Sequence, residues 1–319
     1  MSTKHVGIEE YLADIRFHQC FHVDKRRVTY SDIGSQNDNA HVLLFCGAML
    51  GGRYSSLRLD DQAREQGVRI LCIDRPGFGG SDNVNLSLRM ETWLQTVPAL
   101  MHHLHIVHIS LASHSAGTLY LFHTILHLPH ILYPQNPYIA LLGPWVHPKH
   151  SRVAMLSLCS FFPDSWVGNW HRAQKAIVRP LMWSTGIFAK KTESKLTKRE
   201  LEKKALVAKA FEYIMAEDLD GAGQEALLCL KRGVGWGSWE EYEEICGQLR
   251  GPKITMDVFY AESDMMIGDR GAAWFDDMWE REGAEAVLDF HSMTVPGTSH
   301  DSIVEAEVVW KRIFQRISK

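Results

Sequence analysis

Residues 107–122 read VHISLASHSAGTLYLF, an apolar run followed by a short turn of small residues and a second apolar run. The pattern predicts a buried strand over 107–112 and, after a sharp turn, a helix that begins near Ala116. Ser115 lies at the apex of the turn, where a strained backbone projects the side chain outward. The residues two before and two after the apex have to be small because strand and helix nearly touch there. Ser113 and Gly117 meet this requirement, so the segment predicts a nucleophilic serine at a strand-to-helix turn.

Strands and helices alternate on both sides of this turn. Two β-rich runs joined at Asp24-Lys25 predict a hairpin. Short apolar runs, typical of strands buried on both faces, occur at 41–47, 69–74, 138–143, 254–261 and 287–295. Helical patterns separate most of them. This order predicts an α/β fold with a mostly parallel eight-stranded sheet flanked by helices.

The alternation stops between the run at 138–143 and the run at 254–261. No buried-strand pattern occurs over 149–250; the segment is aromatic-rich at first and then strongly charged. Apolar residues at near-helical spacing predict an amphipathic helix over 198–216. The sequence therefore predicts an α/β core formed by residues 1–149 and 251–319, with a helical insertion at 150–250 after the sixth strand.

Composition excludes several classes of partner. The 319 residues contain 34 Lys+Arg and 38 Asp+Glu, a net charge of -4, so we expect no nucleic acid and no anionic membrane as a partner. The longest apolar stretches are about half of the ~20 residues that a membrane-spanning helix needs. The first 20 residues lack the apolar core of a secretory signal, and six scattered cysteines are typical of free thiols. We therefore expect a cytoplasmic protein; its oligomeric state stays open.

No pattern in the sequence indicates a cofactor or a metal ion. His123 and His127 are spaced i, i+4, as two metal ligands on one helix face would be, but no third ligand accompanies them. The run GFGGS (77–81) follows a predicted strand but lacks the spacing of nucleotide-binding loops. We therefore expect neither a cofactor nor a metal.

The chain resembles the α/β-hydrolase superfamily, in particular its cap-bearing serine hydrolases. The elbow around Ser115 is similar to the family's G-x-S-x-G, with Ser113 in place of the first glycine. DRPGFGGSD (74–82) resembles the loop after the family's preceding strand, and RRVTYSDIG (26–34) resembles its second, antiparallel strand. The resemblance covers nearly the whole chain. It implies that the insertion at 150–250 is a cap domain.

The resemblance also implies a catalytic triad. The family's chain order is nucleophile, acid, histidine. At the corresponding positions this sequence has Ser115, then Asp264 within YAESDMMIG, then His300 within VPGTSHDS. Asp269 in the same loop is the alternative acid. Asp264 and His300 each come just after a predicted strand, at the sheet edge where sites form.

An oxyanion hole made by two backbone N–H groups is implied as well. One donor is the residue after the nucleophile, Ala116. The other comes from the loop CGAMLGG (46–52), where position favours Ala48 and then Met49. Cys46 stands where the family usually has His-Gly. Backbone donors do not depend on the side chain, but this departure weakens any inference of lipase-like specificity.

The resemblance implies a serine hydrolase that acts through an acyl-enzyme on a carboxylic ester, lactone or thioester. The aromatic side chains of the insertion favour a small to medium apolar substrate, and a step of secondary metabolism fits. A serine at the elbow argues against epoxide-hydrolase or dehalogenase chemistry, where the family's nucleophile is a carboxylate.

Two alternatives stay open at this point. A proline-iminopeptidase-like aminopeptidase would need a carboxylate for the substrate's amine, which Glu240, Glu241, Glu243 or Glu244 could supply. A ligand receptor that keeps the pocket but turns over slowly is the other, since fold does not fix function. The complete triad favours an enzyme.

Overall fold

The computed structural model describes residues 7–170, 172 and 198–318. Its centre is one eight-stranded sheet in the order β1-β2-β4-β3-β5-β6-β7-β8. The first two strands form the predicted hairpin, β2 also pairs antiparallel with β4, and every other pair is parallel. The strands are β1 (Gln19–Val23), β2 (Arg26–Gly34), β3 (His41–Cys46), β4 (Val68–Ile73), β5 (Ser110–Ser115), β6 (Tyr138–Pro144), β7 (Ile254–Ser263) and β8 (Leu288–Ser299).

Helices cover both faces of the sheet. Those of the α/β part are α1 (Ile8–Leu12), α2 (Asp60–Glu65), α3 (Arg89–His103) and α4 (Gly117–His127) before the insertion. Between β6 and β7 lie α5 (Pro148–Ser151), α6 (Ala154–Cys159), α7 (Asp164–Val167), α8 (Lys198–Ala216), α9 (Asp220–Cys229) and α10 (Glu243–Gln248). After β7 come α11 (Gly268–Trp279) and α12 (Glu307–Ile317), and a 3-10 turn at Ser302–Glu305 precedes α12.

The central strands alternate their side chains between two apolar cores. In β3, Val42 and Leu44 belong to the core that contains α4, while Leu43 and Phe45 belong to the core that contains α12. All six residues of β5 and all seven of β6 are buried. Continuous burial explains why these strands read as unbroken apolar runs instead of alternating ones.

Both predicted boundaries of the strand before the turn are wrong by three residues. The strand expected at 107–112 begins at Ser110 and extends to Ser115. Val107 is 73 % exposed, so the front of the apolar run lies at the surface and does not join the sheet. The strand instead includes three serines, Ser110, Ser113 and Ser115, of which the sequence predicts Ser113 and Ser115 in the turn. The strand therefore delivers Ser115 directly to the edge of the sheet.

The segment between β6 and β7 packs on loops at the carboxyl ends of the parallel strands. Asp218 forms a β-bridge with Gly79, and the Gly221 amide donates to the Gly77 carbonyl over 2.9 Å. Phe78 forms a small apolar cluster with Leu219 and Ala222. Residues 171 and 173–197 of the predicted insertion lie outside the described residues. The division into a core and a cap domain therefore stays a prediction.

None of the helices in the described part of the chain is long and apolar enough to cross a membrane.

Candidate active site

The strand-to-helix turn predicted from the sequence is present after β5. Ser115 has a φ of 52°, in the left-handed region that side chains rarely adopt, and α4 begins two residues later. A Cβ on Gly117 would lie 2.0 Å from the Cys46 carbonyl oxygen and 2.7 Å from that of Gly47. Only glycine permits the loop after β3 to pass this close to the start of α4. The turn thus holds Ser115 in a strained conformation beside that loop.

Three side chains that the sequence analysis placed on separate loops meet at this edge. Asp264 follows β7 directly and His300 follows β8 directly. The His300 Nε2 atom lies 2.9 Å from Ser115 Oγ, and His300 Nδ1 lies 2.8 Å from Asp264 Oδ2. The side chains of His300 and Asp264 are 9 % and 5 % exposed. A serine hydroxyl, an imidazole and a carboxylate therefore lie in one hydrogen-bonded row, largely shielded from water.

The Asp264 carboxylate has a defined hydrogen-bonding pattern. Its Oδ1 atom accepts the backbone N–H groups of Met266 and Ile267 over 2.8 and 3.0 Å. Burial acts to raise the pKa of Asp264, but the hydrogen bond and charge of His300 and these two amides outweigh it, so the pKa lies below its ordinary value. An ionised Asp264 accepts the Nδ1 proton of His300. The Nε2 atom is then free to accept the hydroxyl proton of Ser115.

The alternative acid from the sequence analysis lies elsewhere. Asp269 is exposed in the first turn of α11, and no hydrogen bond or ion pair joins it to His300. The structure therefore places Asp264, and not Asp269, against the imidazole.

The two expected oxyanion donors lie on the turn and on the loop after the neighbouring strand. Ala116 is the residue before α4, and Ala48 follows β3, the strand that pairs with β5 through Cys46 and Ser113. No acceptor among the described residues takes the amide hydrogen of Ala48 or of Ala116. Neither N–H group is thus engaged within the described part of the protein, as would be required of groups kept for a ligand.

His114, beside Ser115, has the structural role that the sequence favours, but its partner was not predicted. Its Nε2 atom lies 2.9 Å from the backbone oxygen of His300. Burial, followed by the neighbouring His300, lowers the pKa of His114 to about 3, so its ring is neutral. A carbonyl oxygen only accepts, hence the proton of His114 is on Nε2 and is donated to the His300 backbone. No sequence signal identifies this contact, because it joins residues 186 positions apart.

Sequence reasoning also missed Gly143 at the end of β6. Its φ is 46°, and an added Cβ would lie 3.2 Å from His300 Nδ1 and 3.5 Å from Asp264 Oδ2. The Gly-Pro pair that ends the apolar run of β6 was the available signal. The glycine leaves room for the imidazole above the strand.

The other candidates from the sequence analysis lie outside this cluster. The rings of His123 and His127 are 4.5 Å apart, but no group of three possible metal ligands occurs in the described ranges. A polar cavity of about 230 Å³ is separate from the three side chains. It is lined by His18, Arg27, Thr29, Arg53, Gly79, Gly80 and Glu217.

Comparisons with known proteins find structural similarity without sequence similarity. No protein-family model matches the chain, and no curated protein matches it either. The enol-lactonase from Burkholderia xenovorans LB400 is similar with a TM-score of 0.62 and 12% identity, covering 94% of this chain and 100% of that one. An epoxide hydrolase from Bacillus megaterium has a TM-score of 0.61 and 11% identity, with coverage of 94% and 100%. A thermophilic esterase from Thermogutta terrifontis has a TM-score of 0.56 and 16% identity, with coverage of 92% of both chains.

Proposed function

We propose that this chain, which has the α/β-hydrolase fold, is a serine hydrolase acting on a carboxylic ester, lactone or thioester of a small to medium apolar compound. The observation that carries the proposal is the row Ser115–His300–Asp264 at a strained strand-to-helix turn. The lactonase and the esterase among the similar structures are consistent with it.

The proposed reaction follows from the positions of the hydrogen-bonding atoms. Ser115 Oγ attacks the substrate carbonyl carbon while His300 Nε2 takes the hydroxyl proton, and Asp264 stabilises the resulting imidazolium. The amides of Ala48 and Ala116 donate to the oxyanion. His300 returns the proton to the leaving oxygen or sulfur, which departs and leaves an ester on Ser115. Water, deprotonated by His300, then cleaves this acyl-enzyme to give the acid and the free serine.

The chemistry of the nucleophile disfavours epoxide opening. Attack of a serine hydroxyl on an epoxide carbon would form an ether, which water does not cleave at a useful rate. An ester formed on Ser115 is hydrolysed by the same base that formed it. The nucleophile therefore favours acyl transfer, although one of the similar structures is an epoxide hydrolase.

The aminopeptidase alternative has less support. Two of its candidate carboxylates are held by basic side chains. Glu241 pairs with Lys231 over 2.8 Å and with His150 over 3.0 Å, and Glu243 pairs with Arg281 over 3.1 Å. A substrate amine would have to displace these partners.

We propose further that the segment 150–250 acts as a cap. Its contacts with two loops at the carboxyl edge support this role, since Gly221 bonds Gly77 in the loop after β4 and Glu217 pairs with Arg53 in the loop after β3. Such a segment would cover the carboxyl edge of the sheet and limit the length of the acyl group.

An alkyl fluorophosphonate tests the proposal, since its phosphorus mimics the tetrahedral centre of acyl transfer. We expect stoichiometric labelling, located at Ser115 by mass spectrometry and abolished by Ser115→Ala or His300→Ala. Turnover of short-chain aryl esters has to accompany it. Labelling without turnover on any ester, lactone or aminoacyl compound would favour the slow receptor. A folded, monodisperse protein that does not label would refute a serine hydrolase.

A further inference from the structure

A buried network of charged groups lies beside the candidate oxyanion hole. Arg75, in the loop after β4, donates from Nε to Glu225 Oε1 over 2.5 Å and from Nη2 to Glu225 Oε2 over 3.0 Å. Arg89 and Tyr120 also donate to Glu225 Oε1, over 3.2 and 2.9 Å. The four residues are at most 1 % exposed. The network contains two cations and one anion, a net positive charge held away from water.

The guanidinium of Arg75 also bonds the loop after β3. Its Nη1 atom donates to the Gly47 carbonyl over 2.9 Å, and its Nη2 atom donates to the Ala48 carbonyl over 2.6 Å. The Gly47 carbonyl belongs to the same peptide group as the Ala48 amide, and the Ala48 carbonyl to the same group as the Met49 amide. Arg75 therefore holds both peptide groups whose N–H the sequence analysis considered as the second oxyanion donor.

We propose that Arg75 is a positioning residue that orients and polarises the oxyanion loop, and that Glu225 holds it in place. The inference rests on the proposed serine hydrolase function and goes beyond it, because it assigns a role to residues that do not touch the substrate. Peptide groups are planar, so fixing a carbonyl fixes the direction of the N–H on its other side.

Two physical effects make this contact relevant to the reaction. A charged donor on a carbonyl draws electron density from the peptide group and strengthens its N–H as a donor, because linked hydrogen bonds polarise one another. The second effect is the net charge of the network, which lies one peptide group away from the position of a developing oxyanion. In a buried site this charge favours the negative transition state over the neutral substrate.

Glu225 links the oxyanion loop to the inserted segment. It lies in α9, between β6 and β7, and 150 residues separate it from Arg75 in the sequence. The bidentate contact fixes the guanidinium plane, and the remaining Nη1 donor and the shared Nη2 then point at the loop carbonyls. The arrangement of the oxyanion loop therefore depends on the packing of α9 against the core.

The experiment compares Arg75→Lys with a matched control, Arg53→Lys. Arg53 is also buried, pairs with Asp74 over 2.5 Å and with Glu217, and so joins the same loop region to the inserted segment. Its side chain makes no hydrogen bond to the carbonyls of Gly47 or Ala48. Both lysine variants keep the charge and lose the planar fork.

For each variant, kcat and KM on a short-chain aryl ester, the fluorophosphonate labelling rate and the unfolding temperature are measured. For Arg75→Lys we expect kcat and the labelling rate to fall about 10- to 100-fold, with KM within about twofold of wild type. This loss is smaller than the loss that follows when an oxyanion donor is removed outright. For Arg53→Lys, kcat should stay within about threefold of wild type at a comparable loss of unfolding temperature.

Equal losses of kcat in the two variants, or a raised KM with unchanged kcat for Arg75→Lys, would overturn the inference. Should Arg75→Lys not fold, Glu225→Gln decides, because it keeps the shape of the anchor and leaves Arg75 with one acceptor there. A kcat lowered at least about threefold with unchanged KM supports the inference, and an unchanged kcat overturns it. Failure of the proposed function is recognised separately, since the wild-type protein would then neither label nor turn over the ester.

Discussion

Asp264→Asn is the substitution whose effect the site geometry defines most sharply. Asp264 uses Oδ2 for His300 Nδ1 and Oδ1 for the amides of Met266 and Ile267. An asparagine has one oxygen and one NH2 group for these three donors. One of the two sides has to receive the NH2 group.

Keeping the oxygen on the backbone side is the less costly choice. If NH2 faced the amides of Met266 and Ile267, two buried N–H groups would lose their acceptor, at about 1–3 kcal/mol each. With NH2 toward the imidazole, His300 can satisfy it by moving its proton from Nδ1 to Nε2. That tautomer cannot accept the proton of Ser115.

We therefore expect kcat to fall on the order of 10⁴-fold, as for the same change in a serine protease triad. At 1.36 kcal/mol for each factor of ten, this is a loss of about 5.4 kcal/mol of transition-state stabilisation. The protein should stay folded, because asparagine has the shape of aspartate.

The assay is steady-state hydrolysis of a short-chain aryl ester, with circular dichroism to establish that the variant is folded. Asp269→Asn is the matched control, since it makes the same chemical change five residues away on an exposed side chain. Its kcat should stay within about threefold of wild type. A larger loss for Asp269→Asn than for Asp264→Asn would refute the assignment of the acid.

Four further substitutions test neighbouring parts of the site. Ser115→Ala should lower kcat on the order of 10⁶-fold without unfolding the protein. The hydroxyl of Ser113 has no partner among the described residues, so Ser113→Ala should keep kcat within about tenfold of wild type in the same ester assay. Gly143→Ala should lower kcat about tenfold, because its Cβ would displace the His300 ring; unchanged kinetics would show that the ring tolerates the shift. His114 has a pKa lowered from 6.5 to about 3, so between these values the unfolded chain binds a proton that the folded protein does not, and stability falls as the pH drops below 6.5. His114→Asn should remove this slope, which approaches about 1.4 kcal/mol per pH unit near pH 5, in urea unfolding between pH 6.5 and 5, and an unchanged slope would contradict the neutral ring.

The sheet was predictable because its strands are buried on both faces. Such strands appear as apolar runs, and six of the eight were located this way, while the hairpin was evident from its turn. The prediction failed at the start of β5, where Val107 is apolar but exposed. Hydrophobicity alone does not tell whether a residue at the end of a run joins the sheet.

The candidate site was predictable to the extent that it depends on strand ends. Ser115, Asp264 and His300 each lie at or directly after the end of a strand, and the apolar runs at 107–112, 254–261 and 287–295 place these ends to within four residues. The network of Arg75 and Glu225 could not be found this way, because 150 residues separate its members and Glu225 lies in a helix of the inserted segment. Nothing in either local sequence distinguishes this ion pair from a surface charge.

The strand order explains why the site also requires a residue without a side chain. Ser115 ends β5 and Asp264 follows β7, but β6 lies between these strands in the sheet. His300 has to extend across the end of β6 to contact both residues. Gly143 leaves room for the imidazole there, since a Cβ at this position would lie 3.2 Å from His300 Nδ1. A serine, a histidine and an acid at three strand ends are therefore insufficient by themselves. The intervening strand also has to leave room at its end, which Gly143 does, for the three side chains to form one unstrained hydrogen-bonded row.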